Sequence, residues 1–357
     1  MLRSGLTCLL AASLLLAGCN TTPTAIGPTD TLSSYAQTAV AEGAQVIEMD
    51  WRDESRQRDV PVRLYWPAQA VAGQAVPLVV YSHGIGGSRR GYSYLGAYFA
   101  RQGYASLHVQ HIGSDRQQVW MGNPLQLVSR LQAAAQEGEA ISRVADVKFA
   151  LDTLLHSERA ALIDPERIVA AGHSYGANTT LLLAGAQVTR QGHTLDLRDP
   201  RFKAAIVISA PPFYGDGDVR PITGPIAIPT LHITATEDVI RVPGYFSDAS
   251  DRLALFDATG HDARKVLAVF EGGSHSMFTD RGITGGTALN PRAKQATQEL
   301  ALAFLNDVLD GKPDGLRHWS AQYQDILARW QSPYGQFSAP AVALKPATAS
   351  LAAMPGS

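Results

Sequence analysis

The sequence predicts an α/β protein with a mostly parallel, doubly wound sheet and an antiparallel hairpin at its N-terminal edge. Three observations predict it. Short continuous apolar runs, such as Val76 to Tyr81 and Val266 to Phe270, alternate along the chain with stretches of helical period. The first two strand-like runs are separated only by the polar segment Arg52 to Asp59. Finally, the run from Ile168 to Ala171 passes through Gly172-His173-Ser174-Tyr175-Gly176 into a Leu-rich helical stretch, Asn178 to Ala186.

Taken in order, Gln45 to Trp51 and Val60 to Trp66 read as the hairpin, the second alternating Val60, Val62, Leu64 and Trp66 at strand period. Val76 to Tyr81 reads as a strand covered on both faces. Ser93 to Gln102 reads as a helix stopped by Gly103, and Ala105 to Val109 as the next strand. Ser142 to Leu155 places Val144, Val147, Leu151 and Leu154 on one helical face. Asp164-Pro165 suggests a turn into the strand before Ser174. Ala204 to Ser209, Thr230 to Thr234 and Lys265 to Phe270 supply three more strands. A helix starts at Asn290-Pro291, in cap-then-proline order, and ends at Gly311.

The ends of the chain differ from its middle. Arg3 and the apolar run Leu6 to Ala17 form a targeting segment too short to span a bilayer as a mature helix. It closes with Leu16-Ala17-Gly18-Cys19, which resembles the lipobox of bacterial lipoproteins. That resemblance implies cleavage before Cys19, acylation of its thiol and anchoring in a bilayer. With Asn20 following, it implies the outer membrane of a bacterial envelope, facing the periplasm. The expected organisation is a signal peptide over 1–18, the lipidated cysteine and a flexible tether over 19–44, a catalytic domain over 45–331, and a Pro- and Ala-rich tail over 332–357. The other cysteine, Cys8, lies in the signal, so the mature domain has no disulfide, thiolate nucleophile or cysteine-ligated metal. A net charge of −2, without basic runs, argues against nucleic acid as a partner.

The chemistry centres on Ser174. Gly172 and Gly176 flank it because the turn brings strand and helix backbones together, leaving no room for a β-carbon. In this strand–turn–helix setting, G-x-S-x-G resembles the nucleophile elbow of the α/β-hydrolase superfamily. That fold implies partners in the order Ser, acid, His, on loops after strands. His275 follows the strand Val266 to Phe270 on the turn Glu271-Gly272-Gly273-Ser274, and is the expected base. After the strand ending at Thr234, Glu237 and Asp238 compete for the acid; the superfamily's pattern favours Asp238, with Asp216 and Asp218 as further alternatives. The oxyanion donors expected are the backbone amides of Tyr175 and of Ile85, in the loop Ser82-His83-Gly84-Ile85-Gly86-Gly87-Ser88. His83 is expected to brace that loop, and His173 to pack beneath the elbow.

The resemblance narrows on Ser82 to Arg89, Gly91 to Gly96, His111 to Asp115 and Gly272 to His275. These resemble the bacterial branch called predicted dienelactone hydrolases, which is similar in turn to platelet-activating-factor acetylhydrolases. True dienelactone hydrolases have a cysteine nucleophile where this chain has Ser174. The resemblance implies hydrolysis of a carboxylic ester through a Ser-His-Asp triad. The sequence carries no long hydrophobic lid stretch, so short or medium acyl esters are expected. It has no H-E-x-x-H, G-x-x-x-x-G-K-S/T or cysteine pair, so no cofactor is expected. An acyltransferase or amidase with the same triad, or a silent envelope lipoprotein using the fold for binding, are the rival readings. Trp120, Met121, Phe213 and Tyr214, on long connections after strands, are the expected pocket walls.

Overall fold

The computed structural model describes residues 32–213, 217–260, 264–281 and 288–338. The signal segment, Cys19, Tyr214, Asp216 and the tail beyond Ser338 lie outside the described residues.

Ten strands form the main sheet: β1 (Gln45–Asp53), β2 (Arg58–Trp66), β3 (Val76–Ser82), β4 (Ala105–Val109), β5 (Ile163–His173), β6 (Phe202–Ile208), β7 (Thr230–Glu237), β8 (Lys265–Ser274), β9 (Leu327–Ser332) and β10 (Gly335–Ser338). Their spatial order is β1-β2-β4-β3-β5-β6-β7-β8-β9-β10. From β4 to β8 neighbouring strands are parallel, and the outer pairs at both edges are antiparallel. The helices are α1 (Ser34–Ala41), α2 (Ser93–Arg101), α3 (Arg116–Trp120), α4 (Leu127–Ala134), α5 (Glu137–Leu155), α6 (Tyr175–Ala184), α7 (Arg220–Thr223), α8 (Ala249–Ala258), α9 (Leu289–Asp310) and α10 (Asp314–Gln322).

Both sheet faces are covered, and the strand sequences show why. Successive side chains of a strand point to opposite faces. Val80 and Val207 therefore join the core under α5 and α6, whereas Val79 and Ile206 join the core under α2, α9 and α10. Each parallel strand needs apolar residues at nearly every position, which is the continuous pattern of β3, buried throughout. The fold is that of the α/β-hydrolases. The strand order reverses around β3, with β4 on one side and β5 on the other, and Ser82 is level with Gly172 in the pairing. The C-terminal ends of these strands are therefore the ligand-binding edge.

Three expectations need correction. The tether expected over 19–44 is replaced, from Leu32 onward, by α1 and the entry to β1. Ser33 caps α1 by accepting the Ala36 N–H, and Ala36 and Ala39 pack on Tyr65, Ala97 and Ala100. A small-residue composition that suggests a tether thus makes a thin helix face. The tail expected from Ser332 begins instead with a tight turn into β10, whose Phe337 packs on the core while Tyr334 donates to Asp307 at 2.7 Å. Asp164-Pro165 lies within β5 as an irregularity. The pairing with β3 skips from Ile163 to Ile168, because proline has no N–H for the ladder. Two small hairpins, Gln187–Arg190 with His193–Asp196 and Ile240–Val242 with Tyr245–Ser247, were not foreseen. Among the described residues no helix is long and apolar enough to cross a membrane.

Five histidines, His83, His108, His111, His173 and His232, are buried in this framework. Burial lowers each below the ordinary imidazole value, to about 3 for His108, His173 and His232 and well below it for His83 and His111. They stay neutral in the native state, so below about pH 6.5 the unfolded chain binds more protons than the native one. Stability is then lost as pH falls from about 6.5 toward about 3, by up to about 1.4 kcal/mol per pH unit for each histidine. The urea midpoint should fall steeply between pH 7 and pH 5. His232→Leu removes one such group, whose Nε2 has no protein partner among the described residues, and should make the fall shallower. A midpoint independent of pH, or an unchanged slope in His232→Leu, would contradict this.

Candidate active site

Ser174 sits at the end of β5 with φ 56° and ψ −124°, a conformation that costs a non-glycine residue about 1–3 kcal/mol. The turn is enforced from three sides. A β-carbon at Gly172 would lie 2.2 Å from the Gly176 carbonyl oxygen, and one at Gly176 would lie 2.0 Å from that of Ser82. The Ser174 N–H donates to the Ile208 carbonyl at 2.9 Å, tying the elbow to β6. The serine thus stands at the N-terminus of α6, with its side chain raised toward the loops.

Those loops bring two partners. His275 follows β8, and its Nε2 is 2.9 Å from Ser174 Oγ. Its Nδ1 is 2.7 Å from Asp238 Oδ1, on the turn after β7. The hydroxyl proton of Ser174 thus faces Nε2, while Nδ1–H donates to the carboxylate. Glu237, the competing acid, is exposed, and Asp218 is engaged by Arg220. Asp238 is fully buried and its oxygens are occupied: Oδ2 accepts from Thr234 Oγ1 at 2.7 Å, and Oδ1 also accepts from Arg252 Nη2 at 3.3 Å. Burial by itself would raise this carboxyl. The hydrogen bond to His275, with the charges of His275 and Arg252, outweighs burial and holds it well below the usual carboxylate range.

His173 does more than pack under the elbow. Its Nε2 lies 2.9 Å from the His275 carbonyl oxygen and its Nδ1 2.8 Å from the Tyr92 hydroxyl. A carbonyl can only accept, so Nε2 carries the proton and Nδ1 accepts from Tyr92. Tyr92 in turn accepts the Gly84 N–H at 3.3 Å. One line of hydrogen bonds therefore runs from the loop after β3 to the backbone of His275. With Gly84 so engaged, Ile85 is the next amide in that loop. Neither the Ile85 nor the Tyr175 N–H donates to a protein acceptor among the described residues, and Tyr175, as first residue of α6, has no intrahelical partner. A β-carbon at Gly84 would stand 3.1 Å from Ser174 Cβ, so this loop lies against the serine.

His83 braces the loop as expected. Its Nδ1 donates to the Gly84 carbonyl at 2.8 Å, and its Nε2 accepts the His111 N–H at 3.1 Å. Beneath it lies a second serine–histidine–aspartate array: His111 Nε2 is 3.2 Å from Ser82 Oγ, and Nδ1 is 3.1 Å from Asp146 Oδ2. All three residues are buried, and Asp146 is further paired with Arg56 and Arg58, so this array is scaffold.

Residues 32–121 match the model of the family described as platelet-activating factor acetylhydrolase, isoform II. Over an aligned length of 169 residues the chain is 29% identical to the platelet-activating factor acetylhydrolase of Bos taurus. That stretch covers 37% of this chain and 37% of the bovine one. The chain is similar to these hydrolases. The family match contains the loop after β3 but ends before Ser174, so the serine, histidine and aspartate stand on their geometry.

The residues expected as pocket walls take the following positions. Trp120, at the end of α3, donates from its indole N–H to the Gly86 carbonyl at 3.1 Å and lies on the loop after β3, 47% exposed. Met121 follows, 65% exposed. Phe213 is half-buried against the core under α5 and α6. Tyr214 lies outside the described residues. Sequence reasoning missed Tyr92 as a ligand of His173, Thr234 and Arg252 as ligands of Asp238, and the buried Arg143.

Proposed function

We propose that this protein hydrolyses carboxylic esters through an acyl-enzyme on Ser174. The observation that carries the proposal is the unbroken array Ser174 Oγ–His275 Nε2, His275 Nδ1–Asp238, at hydrogen-bonding distance throughout. Ser174 Oγ attacks the ester carbonyl as its proton passes to His275 Nε2. The negative charge that develops on the carbonyl oxygen is met by the Ile85 and Tyr175 N–H groups, each worth about 3 kcal/mol in such a site. The intermediate collapses, the carbonyl–alkoxy bond breaks, and His275 returns the proton to the departing alcohol. Water, deprotonated by the same nitrogen, then releases the carboxylic acid and restores Ser174. Asp238 keeps the imidazole in the tautomer that can accept, and stabilises the imidazolium.

The similarity to acetylhydrolases supports a short acyl group; short or medium acyl esters are the proposed substrates. The proposed partner besides substrate is a bilayer, reached through acylated Cys19 in a bacterial envelope. Replacing Cys19 by Ala should release folded protein from the membrane pellet or block processing, and a processed, membrane-bound Cys19→Ala protein would reject the anchor.

The kinetic test uses a butyrate ester, which the wild type should turn over faster than a long-chain triglyceride. Asp238→Asn preserves shape but favours the wrong tautomer, a change that lowers kcat about 10⁴-fold in serine proteases, and a loss of that order is expected here. Glu237→Gln, at an exposed position, should stay near the wild-type rate. A large loss in Glu237→Gln with a near-normal Asp238→Asn would reassign the acid.

A further inference from the structure

Arg143 is the largest side chain fully buried in the described structure, and the reaction scheme above does not use it. Its guanidinium faces the underside of the candidate active site. Nη2 donates to the backbone carbonyl of His83, in the loop after β3. Nη1 donates to Ser114 Oγ at 2.7 Å, and Nε donates to Thr179 Oγ1 at 3.0 Å on α6. The guanidinium carbon lies 4.6 Å from the centre of the Tyr175 ring. No carboxylate is within ion-pair distance among the described residues; the Ser114 hydroxyl relays the contact to Glu139 at 2.9 Å, and Glu139 pairs with Arg58.

An arginine enclosed in this way is expensive unless its donors are well matched. Here the planar fork holds three acceptors at fixed spacing, which a flexible ammonium cannot do equally well. Those acceptors belong to three separate pieces of chain: the loop that carries Ile85, the loop after β4 that carries Ser114, and the helix that begins at Tyr175. Tyr175 itself is held by its ring on the same cation. Burial pushes the guanidinium down to about 10, so it remains charged at neutral pH.

From this placement we propose that Arg143 is the positioning residue of the oxyanion site, setting the separation between the Ile85 and Tyr175 amides. The proposal rests on the ester-hydrolase reading. It adds a residue that touches neither substrate nor the serine–histidine–aspartate array. Its effect belongs to the transition state alone, because the ground-state carbonyl does not carry the charge those amides receive.

The test compares Arg143→Lys, Arg143→Met and Thr179→Val with wild type, with active sites counted by a fluorophosphonate. Each protein is measured for kcat and KM on a butyrate ester, and for the Ki of a short alkyl trifluoromethyl ketone, which forms an oxyanion on the serine. Misplacing one amide by about 1 Å should lower kcat per titrated site about 10²-fold in both Arg143 variants, with KM within about threefold. The ketone Ki should rise by a similar factor. Thr179→Val removes the Nε acceptor, together with the Thr179 hydroxyl's bond to the Tyr175 carbonyl at 3.2 Å, and should move kcat and Ki together by about tenfold or less; it keeps the proposal testable if the Arg143 variants do not fold. Variants that lose thermal stability while kcat per site and ketone Ki stay at wild-type values would overturn the positioning role. A wild type inert toward both ester and fluorophosphonate would instead sink the hydrolase reading, and this inference with it.

Discussion

The structure depends on one backbone contact, the approach of the Gly176 Cα to the Ser82 carbonyl beneath the serine. It closes the turn between β5 and α6 and presses the loop after β3 against that turn. The left-handed backbone of Ser174 is held by this packing and by the N–H bond to Ile208. Strain of about 1–3 kcal/mol at one residue persists only where surrounding structure over-determines it. Here the sheet supplies that constraint, since Ser82 and Gly172 are paired neighbours in β3 and β5.

Several of the buried polar groups around this contact tie together pieces of chain distant in sequence. Asp238 collects Thr234, Arg252 and His275. His173 joins Tyr92 to the His275 backbone, and Arg143 joins the loop after β3 to α6. A half-satisfied buried network costs more than an apolar core, so these groups are stable only as sets. The arrangement suits catalysis by preorganised dipoles, because donors already aligned need no reorganisation when charge develops. The acid sensitivity expected of five neutral, buried histidines is the thermodynamic counterpart of the same design.

Much of this was legible in the sequence because the relevant signals are local. Ser174 lies between glycines in a strand-to-helix transition, and His275 follows a strand on a glycine turn. The strands of the parallel block announce themselves as apolar runs. What was not legible depends on long-range contacts. Arg143 falls on the same helical stripe as the buried Val147, Ala150 and Leu154, so a charge in a buried face was visible; its partner His83, 60 residues away, was not. Arg252 reaches Asp238 across a hairpin whose short strands read as loop. Asp238 and Glu237 are adjacent carboxylates with similar local sequence, separated only by which one the turn buries. Helix α1 was misread because Ala36 and Ala39 matter for what they allow to approach, a property composition does not reveal.

On the proposed reading, Ser174 is a nucleophile activated by His275. Mass spectrometry of the protein treated with a fluorophosphonate tests it most directly. A single adduct is expected on the peptide containing Ser174, absent from Ser174→Ala and strongly slowed in His275→Gln. An unmodified wild type, or an adduct that persists in Ser174→Ala, would contradict it.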